Sequence, residues 1–442
     1  MSNRANRRKE KRELEPKRRF PEFRDAGKWE ERKLGDFLLK KPDYGVNAPA
    51  VPYSDDLPAY LRITDISNEG YYLCDQKVSV KIEAKDENYL SEGDIVLART
   101  GASVGKSYKY RKEDGNLVFA GFLIRIRPDP QKLDSTFLFN FLSTRQYWDW
   151  VSVNSARSGQ PGINGNEYAT LSVPVPSNKQ KGNGLPEQQK IADCLTSIDD
   201  RITAETQKLD ALKAHKKGLM QQLFPAEGKT QPKRRFPEFC DAGEWIRKSG
   251  DEITIKITKG SSPNWQGFSY KSQGVLFITS ENVRDGFLDV SNPKYLPEKF
   301  YEKQKSSQLS HGDILINIVG ASIGRSCSYL LNNKAFINQA VALFRVNRST
   351  SFKFIGYYYQ NDEIKREMFG TQSESARPNL SLTNLKNIEF YLPSFIEQQK
   401  IASCLSSLDE LITAQIQKIA TLQIHKKGLM QQLFPDLDEV KR

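Results

Sequence analysis

Apolar residues recur at alternating intervals of four and three along two long stretches of the chain. In the first they are Ile191, Leu195, Ile198, Ile202, Leu209, Leu212, Leu219 and Leu223; in the second, Ile401, Leu405, Leu408, Ile412, Ile419, Leu422, Leu429 and Leu433. Glu205 and Lys216 occupy two otherwise apolar slots of the first seam, and Gln415 and Lys426 the same slots of the second. A seam this narrow, kept over about five heptads, predicts a coiled coil rather than the broader stripe of a globular surface helix. Pro186 precedes the first helix, and Pro225 and Pro435 stop the two, because proline lacks the N–H that a helix interior needs. At about 1.5 Å per residue, each helix reaches about 55 Å. Two such helices in one chain, separated by a folded domain, close most naturally by pairing antiparallel.

Between the seams the pattern changes. Short β-rich runs (DIVLA, NLVFAGFLIRIRP and ATLSVPVP, then VLFITSENV, GDILINIV, AVALFRV and IEFYLP) alternate with turn signals. Helical stretches are fewer, Phe137–Trp150 and Phe352–Phe369 among them. Each segment reads as an α+β globular domain. The expected order is a basic arm and linker (1–28), a first α+β domain (29–185), a helix (186–225), a linker (226–244), a second α+β domain (245–395), a second helix (396–435) and a tail (436–442).

This order is one module written twice. PKRRFPEFRDAGKW from Pro16 returns as PKRRFPEFCDAGEW from Pro232, GDIVLARTGASVGKS from Gly93 as GDILINIVGASIGRS from Gly312, and the helix from Glu187 returns from Glu397. Of the 39 residues aligned in the helices 27 are identical, including all of HKKGLMQQLFP, so duplication rather than a solenoid is the organisation. Seam packing does not require identity at outward positions. Yet His215, Lys217, Gln221 and Gln222 return as His425, Lys427, Gln431 and Gln432, while the intervening domains have diverged almost beyond alignment. Two matching helical faces therefore point to two copies of one partner, and two dissimilar domains to two dissimilar targets.

The formal net charge of +12 favours a polyanion, through phosphate neutralisation and counterion release. About half of that excess lies in residues 4–19, where nine Arg or Lys face three Glu. No run of about 18 apolar residues is present to span a membrane, and no apolar core follows the basic N-terminus, so a cytoplasmic location is expected. Five scattered cysteines without a C-x-x-C pair, and three histidines, argue against a disulfide framework and a metal site.

Catalytic signatures are missing. GASVGKS places three residues between Gly101 and Gly105, one too few for a phosphate-wrapping loop, and the second copy exchanges Lys106 for Arg325. A glycine turn between strands is the better reading, with Lys106 and Arg325 at its edge as candidate DNA-phosphate contacts. No catalytic residue and no methyltransferase motif of the N-P-P-Y type is found. The candidate base readers are Arg, Asn, Gln and Lys in polar loops near aromatics: Lys40, Lys41, Arg157, Gln160 and Asn164 in the first domain, and Lys259, Asn264, Arg377 and Asn379 in the second. These residue types grip guanine and adenine edges in the major groove.

FPEF-x-x-AG-x-W at the head of each half, GDI-L with GAS-x-G in each domain, and the EQQKIA…HKKGLMQQLFP helices together resemble the specificity subunits of type I restriction–modification systems, from Pro16 to Pro435. The resemblance implies two target-recognition domains that each read half of a bipartite, asymmetric DNA site, with the antiparallel helices as a ruler between them. Half-sites one DNA turn apart are roughly 34–36 Å centre to centre, within the reach of such a coil. It also implies two modification subunits, adenine-N6 methyltransferases, docked on the helices, and two ATP-dependent restriction subunits. S-adenosylmethionine, ATP and Mg2+ would then belong to partners. A coiled-coil scaffold with protein-binding domains, and a specificity subunit serving another restriction–modification class, remain alternatives.

Overall fold

The computed structural model describes residues 14–157, 159–178, 182–226, 228–361, 365 and 379–436. The basic arm before residue 14 and Arg377 lie outside the described residues. The chain divides into two compact units, Met1–Glu205 with Lys418–Arg442, and Thr206–Gln417. Neither coincides with one copy of the repeat, because each includes the C-terminal end of the other copy's helix.

In the first unit, Asp43–Tyr44, Leu123–Ile126, Ile95–Ala98 and Ser107–Lys109 form, in that order, an antiparallel four-stranded sheet. Ile95–Ala98 is apolar throughout because it is buried on both faces. Ile95 and Leu97 join one core cluster and Val96 and Ala98 another, as the two-residue period of a strand requires. A second sheet orders Ala50–Pro52, Val78–Val80, Ala59–Leu61 and Leu117–Phe119, with the last two strands parallel. Trp29–Lys33 pairs antiparallel with Ser172–Asn178, which delivers the chain to the long helix Leu185–Leu223.

The second unit repeats this plan. Thr254–Lys259, Val341–Val346, Ile314–Asn317 and Ser326–Ser328 form the corresponding four-stranded sheet. Lys294–Leu296, Val275–Ile278 and Ala335–Ile337 form the smaller one, again with one parallel pair, and Ile246–Ser249 pairs with Glu389–Leu392. The second long helix spans Phe395–Leu433. The shared GDI motif is structural in both units. Asp94 accepts from Ser91 N–H at 2.9 Å and faces Arg127 at 3.4 Å; Asp313 accepts from Ser310 N–H at 2.6 Å and pairs with Arg345 at 2.6 Å.

The single helical stretch expected over Phe137–Trp150 is two helices, Ser135–Phe141 and Arg145–Ser155. Thr144 breaks it: its hydroxyl donates to Phe141 O at 2.7 Å and accepts from Tyr147 N–H at 3.4 Å, an N-cap that the apolar pattern conceals. In the second unit the helix begins at Phe352 and ends at Gln360, with Asn361 as its C-cap; most of 361–369 lies outside the described residues.

Every seam position of the long helices is buried or half-buried. Within the first unit Lys426 reaches Asp199 at 2.7 Å and Lys418 reaches Glu205 at 2.5 Å. As residue number rises in one helix its partner's falls, so the segments run antiparallel. Within the second unit Lys216 meets Asp409 at 2.6 Å. Asp409 and Lys216 repeat Asp199 and Lys426, so the two basic seam residues are held by the same ion pair in both units, and a basic group at one seam position ties register to charge.

Burial also separates the cysteines. Cys74 and Cys240 are exposed, whereas Cys327 is buried and burial, with Asp285 nearby, pushes its thiol up to about 12. Because the thiolate is the reactive form, a thiol reagent at neutral pH is expected to modify Cys74 and Cys240 promptly and Cys327 only when the second unit opens. Peptide mapping by mass spectrometry checks this; early labelling of Cys327 in the folded protein would contradict it.

Candidate nucleic-acid interface

Four of the first unit's loops meet at one end of its four-stranded sheet. The strand Ile95–Ala98 hands over to Arg99, whose carbonyl accepts from Ile163 N–H at 2.9 Å, while Gly101 N–H donates to Pro161 O at 3.0 Å. Tyr44, from the Lys40–Asn47 loop, accepts from Gly165 N–H at 3.0 Å through its phenol oxygen. Gly121 N–H donates to Val46 O at 2.8 Å. These backbone bonds fix the Lys40–Asn47, Arg99–Lys106, Ala120–Phe122 and Arg157–Asn164 segments against one another, so polar residues scattered in sequence share one face.

The predicted readers occupy that face unequally. Lys40, Lys41 and Gln160 are exposed. Asn164 is also exposed, but its side chain caps the short helix Gly165–Tyr168, accepting from Glu167 N–H at 3.0 Å. Arg157 pairs with Glu167 at 2.5 Å. Burial pushes the Glu167 carboxyl up, but the Asn164 N–H and the Arg157 guanidinium outweigh it and hold it below the usual carboxylate range. Lys106 is half-buried at the foot of the GAS turn. That turn joins two antiparallel strands through a single 3-10 turn, Gly101–Ser103, and no helix N-terminus follows to receive a phosphate. Gly101 and Gly105 take φ of +76° and +88°, a conformation that other residues adopt only with strain, and Gly320 and Gly324 repeat it at +79°.

In the second unit the corresponding loops converge through their own bonds. Gly260 N–H donates to Asn338 O at 3.1 Å, Ile318 N–H to Ala340 O at 3.0 Å, and Leu380 N–H to Ile318 O at 2.9 Å, with Asn379 bridging to Val319. Lys259, Asn264 and Asn379 are exposed and Arg325 is half-buried. The sequence reading passed over residues inside or at the edges of the β-rich runs: Arg99, Phe122 (60% exposed) and Gln339 (exposed). A usable signal was available for the first of these, since Arg99 aligns with Ile318, and a charged residue facing an apolar one inside a duplicated motif marks a position that the scaffold does not dictate.

The duplicated helix faces are exposed at His215, Lys217, Gln221 and Gln222, and at His425, Lys427, Gln431 and Gln432. Lys427 and Gln431 line a groove of about 880 Å³ against Thr144, Arg145, Gln146, Trp148 and Asp149 in the first unit. Lys217 and Gln221 line one of about 890 Å³ beside Tyr357 in the second. Part of the HKKGLMQQLFP identity has an internal cause. Met220, Leu223 and Phe224 enter the second unit's core, and Met430, Leu433 and Phe434 the first's. The backbone carbonyls of Gln222 and Gln432 accept from Arg234 and Arg18 N–H. Among the described residues no group of three or more His, Cys, Asp or Glu is placed to hold a metal ion, and no helix is long and apolar enough to cross a membrane.

One scaffold is used twice, with different side chains on equivalent loops and the same residues exposed on both long helices. The profile of the type I restriction modification DNA specificity domain matches residues 26–214 and 267–423, and the chain belongs to that family of specificity subunits. It is 25% identical over 423 residues to the type I restriction enzyme MjaVIII specificity subunit of Methanocaldococcus jannaschii, covering 93% of each chain. To the EcoBI specificity subunit of Escherichia coli it is 28% identical over 140 residues, 30% of this chain and 28% of that one. Among solved structures, the S subunit of a type I restriction–modification system from M. genitalium has a similar fold. The TM-score is 0.55 at 17% identity, over 96% of this chain and 100% of that one.

Proposed function

We propose that this chain is a non-catalytic subunit that reads a bipartite, asymmetric DNA site. The loop face of the first unit takes one half and that of the second unit the other, while the paired helices set the spacing between them. The observation that carries this reading is the contrast between equivalent loops: Arg99, Phe122 and Gln160 in the first unit stand where the second has Ile318, Ala340 and the Asn379 segment, on the same sheet topology. A shared scaffold with exchanged loop chemistry is what two different base sequences require. The repeated helix faces support docking of two copies of one modification subunit, an adenine-N6 methyltransferase. S-adenosylmethionine would be bound by that subunit, ATP and Mg2+ by two restriction subunits, and the assembly would work in the cytoplasm.

Single-molecule mapping of N6-methyladenine in cells with and without the gene, modification subunits present, tests the reading. A two-part motif that disappears with the gene is expected. An unchanged methylome, with the protein expressed and bound to its partners, would instead favour a protein-binding scaffold.

A further inference from the structure

A half-buried arginine in the first unit is held in a way that general stickiness to phosphate would not require. The Arg99 guanidinium lies over the Tyr44 ring, 5.0 Å from its centroid, and its Nη1 donates to Gly121 O at 3.4 Å. Tyr44 is itself fixed, because its phenol oxygen accepts from Gly165 N–H at 3.0 Å. The Arg99 backbone is pinned on both sides, N–H to Phe122 O at 3.1 Å and carbonyl from Ile163 N–H at 2.9 Å. Unlike Arg125, Arg127 and Arg157, which face Asp43, Asp94 and Glu167, Arg99 has no carboxylate partner among the described residues. Its neighbours on the face are the exposed Phe122 and Gln160, whose amide nitrogen lies beside Gly101.

We infer that Arg99 is the specificity-determining residue of the first unit and recognises a guanine in its half-site; this rests on the DNA-reading function proposed above. The chemistry follows from the geometry. A guanidinium held over an aromatic ring by cation–π attraction keeps its N–H donors available, and one carbonyl contact uses only one of the five. The remaining fork matches O6 and N7 of guanine, which a planar bidentate donor distinguishes from every other base edge in the major groove. Because the ring contact and the bond to Gly121 O hold the side chain beforehand, little rotamer freedom is lost on binding, which favours a directional base contact over a loose phosphate contact. In the second unit the aligned residue is Ile318, 2% exposed, so the device is confined to one half-site.

The test uses the full chain assembled with its modification subunits, and duplexes in which each base pair of the mapped site is changed in turn. Wild-type protein is expected to lose methylation about 10–100-fold when one G·C pair of one half-site is replaced. Arg99→Ala is expected to erase that preference while discrimination throughout the other half-site is kept. Arg99→Lys, which keeps the charge but loses the planar fork, is expected to restore affinity for DNA without restoring full preference. Unchanged discrimination in Arg99→Ala would overturn the assignment. So would relaxation in both half-sites, or full recovery of wild-type behaviour by Arg99→Lys, since a phosphate contact needs only charge. If Arg99→Ala fails to methylate any duplex, binding of Arg99→Lys to the same set decides between these outcomes. A wild-type assembly that shows no base preference anywhere would count against the DNA-reading function itself rather than against Arg99.

Discussion

Phe434→Ala is expected to destabilise the first unit by about 3–5 kcal/mol, although the residue stands near the opposite end of the sequence from the domain it supports. Phe434 is 2% exposed, and its ring lies 5.0 Å from Phe137, 5.9 Å from Phe141 and 6.4 Å from Trp29, centroid to centroid. Truncation leaves a cavity that those rings cannot close, because the backbone of each is fixed: Phe137 and Phe141 in a helix, Trp29 in a strand. The equivalent change, Phe224→Ala, removes contacts at 5.1 Å to Phe354 and 5.5 Å to Tyr358 and is expected to weaken the second unit instead. Hydrogen exchange read peptide by peptide separates the two. Phe434→Ala should speed exchange around Trp29 and Phe137–Leu142 and leave Phe354–Tyr359 protected, and Phe224→Ala the reverse. Uniform loosening of the whole chain, or no change near Trp29, would show that the helix ends are not integral to the separate cores.

That exchange of helix ends marks the limit of what periodicity alone reveals. The heptads located both long helices to within a residue or two, because a seam buried along its length leaves a regular signature, and the polar slots at Lys216 and Lys426 were visible as breaks in it. The seam does not say which domain a helix end belongs to. Phe224 and Phe434 follow the last seam leucines and read as ordinary apolar residues, and their destinations are set by tertiary packing. Thr144 shows the same limit locally, since one hydroxyl splits an apolar stretch into two helices. In the loops, attention to polar clusters picked out Gln160, Lys40 and Lys41, which the structure leaves exposed, and Asn164, whose side chain caps a helix. It passed over Arg99 because that residue directly follows DIVLA, a run whose apolar character belongs to a strand buried on both faces. The duplicated PKRRFPEF and EQQKIA segments served to recognise the module, and nothing in their linear pattern revealed that they bind one another.

Their contact carries the second large effect, expected for Glu187→Ala. Arg19 donates to both carboxylate oxygens of Glu187 at 2.7 Å and to Gly27 O at 2.6 Å, and Trp29 Nε1 donates to the same carboxylate at 3.3 Å. The two charged side chains are 7% and 4% exposed, so alanine at 187 strands a guanidinium and an indole N–H away from water. Breaking a buried pair in this way costs about 3–5 kcal/mol. The second unit repeats the clamp between Arg235 and Glu397, at 2.9 and 2.6 Å, but there Trp245 Nε1 has no hydrogen-bond partner among the described residues and Arg235 is 14% exposed. Glu397→Ala is therefore expected to cost less than Glu187→Ala, a difference that urea unfolding of the two variants measures directly. Because the desolvation of a buried pair offsets much of its attraction, the double replacement Arg19→Met with Glu187→Leu is expected to recover most of the stability lost by Glu187→Ala. If that double variant stays as unstable as the single one, the attraction within the pair, rather than the avoidance of a stranded charge, holds the head of the first helix to its domain.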